Sequence, residues 1–108
     1  MIPAQGPIVV TLEDWLEPIL PRYLEIRERE QEALQRAVER GDMDEAGLIG
    51  HRTKGSGASF GLPEVTEIGR GIEMAAKAGD SEQVRKLVDR LGDYMARLEV
   101  RFEGGGKA

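Results

Sequence analysis

The chain has no cysteine and only one histidine. Disulfide frameworks and thiolate metal centres are therefore excluded, and a His-rich metal site cannot be assembled within one copy. The missing cysteine fits a reducing compartment, and a cytoplasmic location is expected. Basic charge is also in short supply: 15 Lys and Arg stand against 20 Asp and Glu, a formal net charge of −5. No basic stripe runs along any expected element, so nucleic acid is not an expected partner, because binding it normally takes clustered Lys and Arg to replace counterions. Long apolar runs are absent. Ile8-Val9-Val10 and the stretch around Ile19-Leu20 fall far short of the roughly 20 residues that span a bilayer. The start, MIPAQGPIVV, lacks the basic opening and long apolar run of a secretory signal. Strand signals are nearly missing too. The phosphate-loop pattern G-x-x-x-x-G-K-[ST] does not occur, and Lys54-Gly55-Ser56 has its order reversed.

What is present suits one small helical domain. The 108 residues, 40% hydrophobic and 32% charged, allow a single core and leave no room for a separate nucleotide-binding unit. Residues 22–40 are rich in Glu, Gln, Arg, Leu and Ala, all good helix formers. Tyr23, Ile26, Ala33, Leu34, Ala37 and Val38 recur there at three- and four-residue steps and mark a buried stripe. Gly41 offers a left-handed stop; Asp42 and Glu45 form a capping-box pattern for a second helix over 43–60. Gly61 ends that helix, and Pro63 suits the first turn of a third, which carries Val65, Ile68, Ile72, Ala75 and Ala76 on one side. Gly79, Asp80 and Gln83 repeat the earlier junction. The fourth helix then bears Val84, Leu87, Val88, Leu91, Tyr94, Met95, Leu98 and Phe102. Ahead of these, Thr11 and Asp14 can cap a brief helix holding Leu12, Trp15 and Leu16, with Trp15 expected to cover one end. The expected fold is all-α: an antiparallel up-and-down four-helix bundle with a short N-terminal capping helix. Residues 1–10 and 104–108 are read as flexible ends of a domain spanning 11–103.

Chemistry concentrates on the second helix. At about 100° per residue, Ala46, Ile49, Gly50, Thr53, Gly57 and Phe60 cluster on its core face. His51 lies roughly 150° from the centre of that face and is expected to project into solvent. Asp44, Gly47, Leu48, Lys54, Gly55 and Ala58 stand beside it. Such a face is unusual for a solvated helix, since each interior glycine costs about 0.5–1 kcal/mol relative to alanine. Small residues around one imidazole let another protein's backbone approach, and Leu48 adds an apolar contact for it to cover. A neutral imidazole is a good nucleophile near neutral pH, able to take a phosphoryl group as a phosphoramidate and pass it on. Lys54, one turn further on, can lie alongside the phosphoryl oxygens. Arg52 points to a different side and has a smaller part. Alone, a surface histidine is most often incidental; its setting is what lifts this one. Ser56 and Ser59 have no second histidine or other base to activate them.

His51-x-x-Lys54-Gly55, followed by small residues, Phe60 and Gly61, resembles the signature of histidine phosphotransfer domains, the carriers of two-component phosphorelays. The resemblance extends over roughly residues 22–102. It implies that His51 is the phosphoacceptor, through its outward ring nitrogen, that Lys54 supports the phosphoryl group, and that Gly55 keeps the surface open for a receiver domain. It also implies response-regulator receivers or a histidine kinase as partners, a monomer, no cofactor of its own and Mg2+ supplied by the receiver. Two positions depart from the family pattern: Thr53 stands where leucine is usual, and Gly50 where alanine is usual. A helical adaptor that binds a receiver or kinase without carrying phosphate is the alternative, and loss of the histidine would mark such a protein.

Overall fold

The computed structural model describes residues 5–105. In chain order these form β1 (Ile8–Leu12), a 3-10 helix (Asp14–Ile19), α1 (Leu20–Glu39), α2 (Met43–Phe60), α3 (Pro63–Lys77), α4 (Ser81–Arg97) and β2 (Leu98–Phe102). The two Gly-Asp junctions behave alike. Gly41 and Gly79 each adopt φ 70°, a left-handed conformation that ends the preceding helix without a Cβ penalty. Asp42 and Asp80 then accept hydrogen bonds from the backbone N–H of Glu45 and Gln83, each at 3.0 Å, and so satisfy one orphan donor at the start of α2 and of α4. Pro21 lies in the first turn of α1, where its missing N–H costs nothing. That helix therefore starts at Leu20 instead of residue 22.

One apolar core runs through the molecule. Leu34 and Ala37 of α1, Ala46 and Ile49 of α2, Val65, Ile68 and Ile72 of α3, and Val84, Val88 and Leu91 of α4 are all buried. α2 and α3 make the tightest pair. A Cβ on Gly50 would sit 2.9 Å from both the backbone N of Glu73 and Cγ2 of Ile72; one on Gly69 would sit 2.5 Å from the backbone N of Lys54. Two glycines thus let the helix backbones come closer than any larger residue would allow. Here lies the reason for the departure at position 50: alanine does not fit.

Several expectations need correction. The fold is mostly helical but not all-α. The fourth helix stops at Arg97, and Leu98–Phe102 pairs in parallel with Ile8–Leu12, Ile8 opposite Leu98 and Leu12 opposite Phe102. Leu98 and Phe102 continue the i, i+4 spacing of the α4 stripe, so periodicity alone could not see the change. The inward residues Leu12, Val100 and Phe102 are buried in the main core. Residues 8–10, read as part of a flexible start, are therefore strand; residues 1–4 and 106–108 of the two expected flexible ends lie outside the described region. Trp15 does not cap the bundle. It is 62% exposed, and Leu12, Leu16 and Leu20 are buried instead. In α1, Ile26 faces outward and Arg27 is turned inward, only 3% exposed.

Candidate functional site

His51 lies midway along α2, on the side away from the core, with 61% of its side chain exposed. Its orientation is set from the neighbouring helix. Because α2 and α3 are pressed together at Gly50 and Gly69, Glu73 of α3 reaches across, and its Oε2 stands 3.0 Å from His51 Nδ1. Lys54 Nζ donates to the other carboxylate oxygen, Oε1, at 2.8 Å. Lys77, one turn after Glu73, brings its ammonium to 3.8 Å from Oε2. A single carboxylate, 14% exposed, therefore organises one imidazole and two ammonium groups.

The protonation of this carboxylate decides what the imidazole does. The Lys54 ammonium, hydrogen-bonded to Glu73, holds its carboxyl below the usual carboxylate range; partial burial opposes this, and the His51 contact reinforces it. Ionised Glu73 can only accept hydrogen bonds. The proton of a neutral His51 ring is accordingly placed on Nδ1, donating to Glu73, and Nε2 is left with its lone pair directed outward. That is the arrangement a nucleophile needs. Nothing local in the sequence marks Glu73 as a partner of His51: it is 22 residues away, on a different helix. The clue open to inspection was a glutamate beside Ile72 and Ala76, on the edge of a core stripe, where a charge needs a partner.

The remaining expected residues divide into two groups. Asp44, Gly47 and Leu48 join His51, Glu73 and Lys77 around an open groove of about 320 Å³ between α2 and α3. Gly47 is not as bare as the helix wheel suggested, since a Cβ there would meet that of Ala76 at 3.3 Å. Gly55 and Ala58 lie further along α2 and are exposed; nothing stands within 4 Å of where a Gly55 Cβ would be. Leu48 is exposed as well.

On its other flank α2 is tied to α1 by polar contacts. Thr53, fully buried, donates to the carbonyl of Ile49 at 2.8 Å and accepts from Arg27 Nη1 at 2.9 Å. Arg27 also pairs with Glu30, and Glu30 accepts from Arg52 Nε at 2.7 Å. Here is the reason for threonine at position 53: a buried guanidinium faces it. Arg52, as expected, points away from the imidazole.

The comparisons with known proteins add one match. The family model described as Hpt domain matches residues 19–101, well over half of the chain. Neither the curated proteins nor the solved structures contain a match.

Proposed function

Since the chain belongs to the Hpt domain family, whose members carry out histidine phosphotransfer in two-component phosphorelays, we propose that it accepts a phosphoryl group on His51 Nε2 and exchanges it with the aspartate of a receiver domain. The observation that carries this reading is the Glu73 carboxylate 3.0 Å behind His51 Nδ1, on a histidine whose side chain is otherwise 61% exposed. When an aspartyl phosphate meets that nitrogen, the Nε2 lone pair forms the N–P bond as the P–O bond to the aspartate breaks. The aspartate leaves as a carboxylate. The ring keeps its Nδ1 proton and becomes positively charged, and Glu73 faces that charge. Lys54 and Lys77, both gathered at the Glu73 carboxylate beside the ring, are the cations available to accompany the phosphoryl oxygens. In-line positioning and Mg2+ belong to the receiver, as the rest of the phosphoryl-transfer machinery does.

The finer arrangement proposed for the bundle is the antiparallel up-and-down one. It is supported by the short junctions and by the α2–α3 contacts, in which Gly47, Gly50 and Gly57 approach Ala76, Glu73 and Thr66 in descending order. A receiver or kinase is the proposed partner, the chain acting as a monomer, with no nucleic acid involved; the folded unit takes in β1 and so begins at least as early as Ile8. No helix among the described residues is long and apolar enough to cross a membrane. Incubation with a phosphorylated receiver tests the function: the account expects acid-labile, base-stable label on the wild type and none on His51→Gln. Full labelling of His51→Gln would overturn it.

A further inference from the structure

Trp15 is the only tryptophan in the chain, and it stands 62% exposed beside the buried Leu16. Its mount is rigid. Leu12, Leu16 and Leu20 are sunk into the core on either side, the Trp15 indole N–H donates to Glu13 Oε2 at 2.7 Å, and Asp14 Oδ1 accepts from the backbone N of Gly104 at 2.8 Å. The ring is therefore presented outward from a short 3-10 helix whose other apolar face is taken up by the core.

Its position relative to His51 follows from helix geometry. Ala58 comes seven residues after His51, about 20° short of two full turns, and so lies on the same side of α2 roughly 10 Å further along. Between them Gly55 leaves open space. This low track ends at a groove of about 240 Å³ whose walls include Thr11, Trp15, Ala58 and Ser59, with Glu13 and Glu103 contributing carboxylates. A protein interface of ordinary size covers about 800 Å² on each partner, a disc of roughly 16 Å radius. Centred on His51, such a disc reaches the groove.

We infer that Trp15 is a second anchor for the receiver that exchanges phosphate with His51, and that it receives a lysine or arginine from that receiver over its indole face. Charge selects a cation: the groove beside Trp15 is lined by the carboxylates of Glu13 and Glu103 and by no basic residue, and an indole face attracts cations more strongly than other aromatic side chains do. Tryptophan is also among the residues that most often dominate interface energetics, and a partner side chain entering the groove beside it would be desolvated there. This inference rests on the phosphotransfer reading and adds to it a determinant of which receiver is accepted.

Purified receiver domains lacking tryptophan, each charged with acetyl phosphate, are first screened for label transfer to the wild-type chain. With the receiver that labels it, acrylamide quenching of Trp15 fluorescence is expected to fall at least twofold on complex formation. Trp15→Ala is expected to raise KM for that receiver by about tenfold with kcat unchanged, and Glu103→Lys to raise it several-fold at low ionic strength. Labelling by phosphoramidate, which needs no docked protein, separates the two levels and is expected to be the same in all three chains. Unchanged quenching, or an unchanged KM for Trp15→Ala, while the wild type accepts label would overturn the inference and leave phosphotransfer standing. A wild type labelled by phosphoramidate but by no receiver would instead sink receiver exchange, and this anchor with it.

Discussion

At His51 the decisive neighbour is Glu73, whose carboxylate, 3.0 Å from Nδ1, favours the tautomer with the proton on Nδ1 and the lone pair on Nε2. Removing the acceptor should lower the transfer rate by about 10- to 100-fold, the loss seen when the carboxylate behind a metal-bound histidine is removed. Glu73→Ala is the variant to measure; Glu73→Gln, whose amide oxygen can still accept from Nδ1–H, should lose less. The same carboxylate gives a pH signature. Lys54 chiefly, and His51 to a smaller extent, hold the Glu73 carboxyl below its ordinary value. A depressed carboxyl contributes stability above its unfolded value, about 4.3, and loses that contribution as pH falls through the folded one. In urea titrations the stability advantage of wild type over Glu73→Gln should therefore be present at pH 7 and shrink below about pH 4. Gly55 offers the opposite kind of test, because a side chain there meets nothing in the chain itself. Gly55→Glu should leave the unfolding free energy unchanged or raise it by about 0.5–1 kcal/mol through helix propensity, while obstructing transfer from a receiver. Equal transfer rates would show that this face is not the one that docks.

Each helix was legible where the chain's own chemistry marks it. Gly41-Asp42 and Gly79-Asp80 announce their junctions, and the α3 and α4 stripes follow from spacing alone. What escaped notice depends on contacts between elements. Arg27 reads as a surface residue because arginine is seldom buried; only Thr53, a polar residue on a core face of α2, hints that a donor must meet it. β1 and β2 pair across the length of the chain, each only five residues long, and the second inherits a helical spacing from α4. Gly50 was visible as an oddity, but its purpose was not. The structure gives it one: Glu73 N and Ile72 Cγ2 occupy the place of a Cβ. Gly50→Ala should consequently destabilise by about 1–3 kcal/mol through overpacking, despite a gain of about 1 kcal/mol in intrinsic helix propensity. Chemical denaturation with an unchanged slope would register this. A stabilised Gly50→Ala would mean that α2 and α3 are not in such close approach.

In the molecule as a whole, the bundle holds one short segment of α2 on both flanks. α3 presses against it through paired glycines and delivers Glu73; α1 grips it through Arg27, Thr53, Glu30 and Arg52. A helix as rich in glycine as α2 has little stiffness of its own, so its neighbours supply the rigidity that aims the imidazole. The parallel strand pair ties the start of the described chain to its end and carries the 3-10 helix that displays Trp15. All of this converges on a single ring nitrogen, and the chain's sole histidine makes that nitrogen directly observable. With 15N-labelled histidine, nuclear magnetic resonance at alkaline pH should show the Nδ1-protonated tautomer, and after phosphorylation the phosphorus should couple to Nε2. Phosphorus on Nδ1, or on neither imidazole nitrogen of a fully labelled sample, would contradict the account.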